Sequence, residues 1–252
     1  MRNILLLLRF DGAAYHGWQV QKNGVTVQQV LQDALETVLR ERPPVTGCSR
    51  TDAGVHALAY ACNFRTDRTI LCAGLVRALN ACLPDDLAVF ACREVPPDFH
   101  ARYAAHEKEY VYRILNTPAR DPFERGRALH VPSRLDEAVM DAAARGFLGT
   151  HDFAAFQAAG SSVKDTVRAV SAAEVRRKGG LVLFRVRADG FLYNMVRIMA
   201  GTLLYAARGK LRPEDIPAVV ASRNRTAAGP TAPAHGLYLN RVFYDETGWP
   251  AG

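Results

Sequence analysis

The residue best placed for chemistry is Asp52, in the run Ser49-Arg50-Thr51-Asp52-Ala53-Gly54-Val55-His56-Ala57. Small neighbours leave its carboxylate uncrowded, and Gly54 permits close approach of a substrate or another backbone. Arg50, two residues earlier, is a cation able to hold that carboxylate ionised by charge pairing. The competing reading is a turn cap, a common use of aspartate in such loops. A second candidate is Arg197, on a helical segment from Leu192 to Arg208. There Leu192, Met195, Val196, Met199, Leu203 and Ala206 form an apolar stripe, while Asn194, Arg197, Gly201 and Arg208 fall opposite it. Gly201 leaves room on that side for an approaching group, and Arg197 reads either as a cleft residue or as a solvated surface cation.

Aromatic and basic residues alternate at Phe99-His100-Ala101-Arg102-Tyr103 and at Tyr110-Val111-Tyr112-Arg113. Such interleaving suits an unpaired base stacked beside a phosphate contact, and half-buried sheet aromatics give the same pattern. Trp18 and His16 sit in a loop as core plugs or as RNA contacts, and both readings stay open.

What the sequence lacks narrows the chemistry. It holds no G-x-G-x-x-G dinucleotide fingerprint, no G-x-x-x-x-G-K-[ST] phosphate loop and no G-x-S-x-G elbow. No H-x-E combines with C-x-x-C, which argues against a zinc deaminase. The five cysteines (Cys48, Cys62, Cys72, Cys82 and Cys92) form no closely spaced pair, so free thiols in a reducing, cytoplasmic setting are expected and a metal site is not. Any reaction must therefore run on side chains, with no metal and no small-molecule cofactor.

The elements that position these residues follow from periodicity. Asn3 to Phe10 predicts a strand; its apolar run Ile4 to Leu8 is too short to span a bilayer and reads as a buried strand, not a signal peptide. Thr26 with Gln29 opens a helix whose apolar stripe is Val27, Val30, Leu31, Ala34, Leu35, Val38 and Leu39, ended by Pro43-Pro44. His56 to Arg65 predicts a strand, Cys72 to Cys82 a helix and Leu87 to Val95 a strand. The second half repeats the plan. It has a strand from Glu109 to Leu115 and a helix begun by Ser133 with Asp136, carrying the stripe Leu135, Ala138, Val139 and Ala142. A hairpin joins Thr166 to Val175 with Leu181 to Ala188 across Gly179-Gly180. The Leu192 helix, a shorter one from Pro213 to Ser222 and a last strand from Gly236 to Tyr244 complete it. Strand–helix–strand–strand–helix–strand stated twice predicts an α+β protein of two ferredoxin-like units with mixed or antiparallel sheets, residues 1–102 and 103–252.

Charge points the same way. The net charge is +7, and of 32 basic residues only Lys22, Lys108, Lys164, Lys178 and Lys210 are lysines, leaving 27 arginines. Arginine is the better bidentate phosphate reader. From Lys164 to Arg212 there are 11 basic residues against Asp165, Glu174 and Asp189, a balance that favours a polyanionic partner such as nucleic acid.

The motifs then carry a resemblance. Arg50 to Ala57 is similar to the signature loop of the TruA family of tRNA pseudouridine synthases. Phe10 to Gln19, Phe99 to Arg102, Lys108 to Arg113, Gly149 to Phe153, Phe191 to Arg197 and Gly236 to Leu239 resemble further family blocks, in family order. Departures fall at Ala13-Ala14 and in the loop from Gln157 to Val163. The resemblance implies that Asp52 is the catalytic aspartate and that Tyr110 lies against the target base. It also implies that Arg197 pairs with the aspartate and that Leu237 lines the pocket. By the same resemblance the protein is a homodimer whose two ferredoxin-like units flank a central basic cleft, and its partner is the anticodon stem-loop of tRNA, modified at uridines 38, 39 and 40. The sequence leaves open whether Asp52 adds to the sugar or promotes a glycal. Two other readings compete: a non-catalytic tRNA-binding pair of ferredoxin-like domains, and a nucleoside N-glycosidase that would release uracil.

Overall fold

The computed structural model describes residues 1–161 and 163–244; Ser162, in the Gln157–Val163 loop, and residues 245–252 lie outside the described residues. In chain order the elements are β1 (Arg2–Phe10), α1 (Val27–Leu39), β2 (Thr46–Gly47), β3 (His56–Thr66), α2 (Cys72–Asn80), β4 (Leu87–Val95) and β5 (Ala105–Leu115). They continue as β6 (Leu129–His130), α3 (Glu137–Arg145), β7 (Gly149–Asp152), β8 (Val167–Lys178), β9 (Leu181–Ala188), α4 (Met195–Ala207), α5 (Ile216–Ala221) and β10 (Leu237–Tyr244). The protein is α+β, as expected. It divides into two compact units, residues 1–106 with 239–252, and residues 107–238.

The first unit is built on β1. Ile4, Leu5, Leu6, Leu7 and Leu8 are all buried. A continuous apolar run suits a central strand covered on both faces, where alternation would leave one face wet. β1 pairs antiparallel with β3 on one side and β4 on the other. β2 adds a short antiparallel rung to β3, and β10 lies beside β3 as well. Thr26 caps α1, its hydroxyl accepting the Gln29 N–H at 3.4 Å. The buried face is Val27, Leu31, Ala34, Leu35 and Leu39. The helix stops before the predicted prolines, because Arg40 turns left-handed at φ +58° and its N–H bonds the Glu36 carbonyl.

The second unit carries the order β5-β9-β8-β7, all antiparallel, with β6 parallel to β5. The predicted hairpin is present: Lys178 faces Leu181 across Gly179-Gly180, and Gly179 has φ +60°, as a two-residue turn demands. α3 departs from expectation. Its N-cap is Asp136 alone, whose carboxylate accepts from the Ala138 and Val139 amides. Its buried face is Met140, Ala143 and Ala144, while Ala138 and Ala142 are exposed. Nor is α4 one-sided. Ten of its 13 residues are buried, Gly201 among them.

The basic run from Lys164 onward is partly matched by carboxylates within its unit. Arg185 bonds Glu109 and Glu174, Arg187 bonds Glu107, and Arg177 bonds Glu137 at 3.0 Å. Local sequence charge thus overstates the free cations there. No helix among the described residues is long and apolar enough to cross a membrane, and no group of three metal-ligating side chains occurs among them. Cys48 and Cys62 are buried free thiols, and burial pushes the Cys62 thiol up; Cys72 and Cys92 are half-buried and Cys82 is exposed.

Candidate active site

In the first unit, Asp52 is held by a backbone cradle. The Asp52 carbonyl accepts the Val55 N–H at 3.1 Å, with Gly54 at φ +78° inside the turn. A positive φ at that position is what glycine supplies without strain. The bond closing the turn runs main chain to main chain. Residues 12–18 support the turn from beneath. Trp18 N–H donates to the Thr51 carbonyl at 3.2 Å and Gly54 N–H to the Tyr15 carbonyl at 3.3 Å. Gly17, at φ +82°, lies against the chain so closely that a β-carbon there would stand 2.3 Å from the Thr51 oxygen. Gly12 is equally tight on Val55, and its N–H donates to His56 Nδ1 at 3.0 Å.

Aromatic packing fixes this cradle to the sheet. Trp18 is buried and stacks on Tyr60 with ring centres 4.1 Å apart, and the Tyr60 hydroxyl donates to the Ser49 carbonyl at the start of the loop. Tyr15 donates its hydroxyl to Asp86 at 2.5 Å; burial foremost, then that carboxylate, pushes the phenol pKa up. Of the two loop residues left open by sequence, Trp18 is therefore a core plug. His16 is exposed, its ring beside Gly24. Asp52 itself is half-buried, whereas Arg50 is exposed and among the described residues makes no ion pair with it.

The second unit holds the remaining candidates. Tyr110, on β5 opposite Val186, is buried and meets Phe191 edge-on at 5.1 Å. Arg197 lies in the first turn of α4, one turn past Asn194, which adopts a left-handed φ of +60°. Its guanidinium donates from Nε to the Ala232 carbonyl at 2.7 Å and from Nη1 to Asn194 Oδ1 at 2.6 Å, while Ala232 N–H returns a bond to the Arg197 carbonyl. Two fixed bonds define the plane and direction of a guanidinium far better than one. The segment that supplies Ala232 is admitted by Gly201, where a β-carbon would stand 1.8 Å from the Pro230 oxygen. The room that Gly201 makes is thus taken by backbone of this chain. Leu237 is buried at the start of β10.

Sequence reasoning missed His235. Burial lowers its imidazole pKa and the positive Arg197 adds to that, against a backbone bond at Ala128 that raises it. Tyr112, read only as a sheet aromatic, donates its hydroxyl to the Pro233 carbonyl at 2.8 Å and backs Gly236. The signal available for both was their nearness in sequence to motif residues, which does not specify a contact.

The first unit thus presents a carboxylate on a rigid shelf, and the second, taken by itself, holds an oriented arginine on α4 and a buried tyrosine on β5. The comparisons assign the class: the chain matches the tRNA pseudouridine synthase family over residues 7–104 and 143–245, and it belongs to that family. It is 49% identical over 245 residues to tRNA pseudouridine synthase A of Ruminiclostridium cellulolyticum, covering 97% of this chain and 100% of that one. Similar proteins of the same name occur in Acetivibrio thermocellus (47% over 244 residues, 97% and 100% covered) and Citrifermentans bemidjiense (44% over 247 residues, 98% and 99% covered).

Proposed function

We propose that this tRNA-modifying isomerase converts uridine to pseudouridine in the anticodon stem-loop, at positions 38, 39 and 40, with Asp52 as nucleophile. Family membership supports uridine isomerisation in tRNA. The observation that carries the assignment of Asp52 is its loop, which residues 12–18 hold in one position through main-chain bonds and close glycine contacts.

The reaction breaks the bond from uracil N1 to C1′ of the sugar and forms one from C5 to C1′. The proton leaves C5 and N1 regains one, so atoms and electrons balance without a cofactor. Attack of the Asp52 carboxylate on C1′ expels the uracil, and attack by C5 then expels the carboxylate, dividing one hard step into two. A base inside a stem must first be flipped out, at a cost of a few kcal/mol. Tyr110 contacts the base, and base–aromatic contact contributes about 1–3 kcal/mol toward that cost. Arg197, steadied by Ala232 and Asn194, binds substrate with Leu237, and exposed Arg50 contacts the RNA backbone. The protein acts as a homodimer in the cytoplasm.

The test uses unmodified tRNA transcript, with pseudouridine mapped by carbodiimide-blocked primer extension. Asp52→Asn abolishes modification of the anticodon arm while tRNA binding persists. Full turnover by that variant would refute the assignment, and free uracil in the supernatant would indicate a glycosidase instead.

A further inference from the structure

One surface turn of the first unit is built with more care than a connection requires. Residues 96–104 join β4 to β5 and are pinned from below by two buried asparagines. Asn3 Nδ2 donates to the Pro96 and Phe99 carbonyls, both at 2.9 Å. Asn63 Nδ2 donates to Asn3 Oδ1 at 2.9 Å, and Asn63 Oδ1 accepts the Ala101 N–H at 2.9 Å. Tyr244, packed against Phe99 at 5.3 Å, donates its hydroxyl to the Ala101 carbonyl at 2.6 Å. Ala101 is fully buried. A satisfied buried polar network of this kind fixes one backbone geometry, since any slip would leave several groups unpaired.

What the turn presents outward is not core. The Tyr103 side chain is 77% exposed. It stacks on His100, with ring centres 4.2 Å apart and planes 29° apart. The His100 ring is itself oriented, because its Nδ1 accepts from both the Arg102 and Tyr103 amides, at 3.2 and 3.3 Å. The exposed Arg102 guanidinium lies 5.8 Å from the Tyr103 ring, and Arg65 reaches the same turn to bond the Pro97 carbonyl at 2.7 Å. An exposed tyrosine stacked on a half-buried, oriented histidine, with an arginine beside its ring, buries little apolar surface of its own. Its outer ring face matches an unpaired nucleobase, and the cations beside it match the adjoining phosphates.

We propose that Tyr103, backed by His100, is a stacking platform for an unpaired base of the bound RNA, with Arg102 holding a flanking phosphate. The platform lies outside the residues assigned to catalysis. It rests on the tRNA reading above, so the wild-type protein is first shown to form pseudouridine in tRNA transcript; failure at that step counts against the parent reading alone.

With that established, Kd for tRNA is compared among wild type, Tyr103→Ala and Tyr103→Phe, and Kd for heparin, a polyanion without bases, is measured alongside. Tyr103→Ala raises Kd for tRNA by about fivefold or more, the range base stacking supplies. Tyr103→Phe keeps wild-type affinity, and neither change alters heparin binding. Tyr103→Trp gives an exposed reporter whose fluorescence is quenched by tRNA. Equal losses in the Ala and Phe variants would overturn the proposal. So would an unchanged Kd in Tyr103→Ala, or a matching loss for heparin.

Discussion

Gly17 and Thr51 meet backbone to backbone, 34 positions apart in sequence: Gly17 at φ +82° leaves no space for a β-carbon beneath the Thr51 carbonyl. The loop that carries Asp52 therefore depends on a residue with no side chain.

Replacing Gly17 with alanine should show that dependence. The left-handed backbone alone costs an L-residue about 1–2 kcal/mol, and the clash must push the Thr51–Asp52 segment away. Calorimetry is expected to show Tm lowered by at least about 4 °C, with pseudouridine formation lost more completely than tRNA binding. A variant of wild-type activity would show that the loop tolerates displacement.

Gly201→Ala tests the corresponding support in the second unit. The new methyl would strike the Pro230 carbonyl and drive the 228–232 segment, with the Ala232 oxygen that seats Arg197, off the helix. Stability and activity both fall. Gly209→Ala is the control for Gly17→Ala, because Gly209 shares the positive φ of Gly17 but nothing lies within 4 Å of its would-be β-carbon. That change lowers Tm only by what the left-handed backbone itself costs and leaves modification intact.

Glu137 makes acid sensitivity predictable. Its hydrogen bond with Arg177 foremost, with its own backbone N–H next, lowers its carboxyl pKa from the usual 4.5 to about 2. A depressed folded-state pKa contributes stability that is complete above the unfolded value and fades as pH falls toward the folded one. Urea midpoints of wild type and Glu137→Gln should differ by a constant amount above about pH 5 and converge toward pH 2. The difference is modest, about 0.2–1 kcal/mol, because the pair is partly solvated. A gap that widened on acidification would contradict the pairing.

Binding to tRNA should weaken steeply with added salt, as phosphate neutralisation releases counterions. Filter binding across a salt series measures the slope. Because Arg176, Arg177, Arg185 and Arg187 already face carboxylates, the slope should be smaller than the sequence count of basic residues implies. A slope matching that full count would show that those ion pairs open on RNA.

Local patterns announced what local forces decide. The Ile4–Leu8 run, the Thr26 cap and the Gly179-Gly180 hairpin each follow from a few adjacent residues, and each stands where expected. The face of α3 did not, because Ala138, Ala142, Ala143 and Ala144 are equivalent in hydropathy. Which of them is buried depends on neighbours distant in sequence. In α4 the glycine was visible but not its visitor, since Pro230 lies 29 residues onward. The candidate site divides similarly. Motif residues such as Asp52 and Arg197 stand out by type and spacing, whereas the groups that seat them, Gly17, Trp18, Tyr60 and Ala232, become meaningful only when the chain closes on itself.

The route of the chain has a consequence for biosynthesis. Residues 107–238 form a unit inserted within the other, whose sheet receives its β10 segment only from Leu239 onward. During translation the first 106 residues emerge early, yet β3 waits for its neighbour until the segment from Leu239 has been made. The inserted unit is contiguous, so all of its own segments are made before β10 is. A waiting strand edge is sticky toward other chains, so the interval before β10 arrives is when this protein most needs protection from its fellow nascent copies.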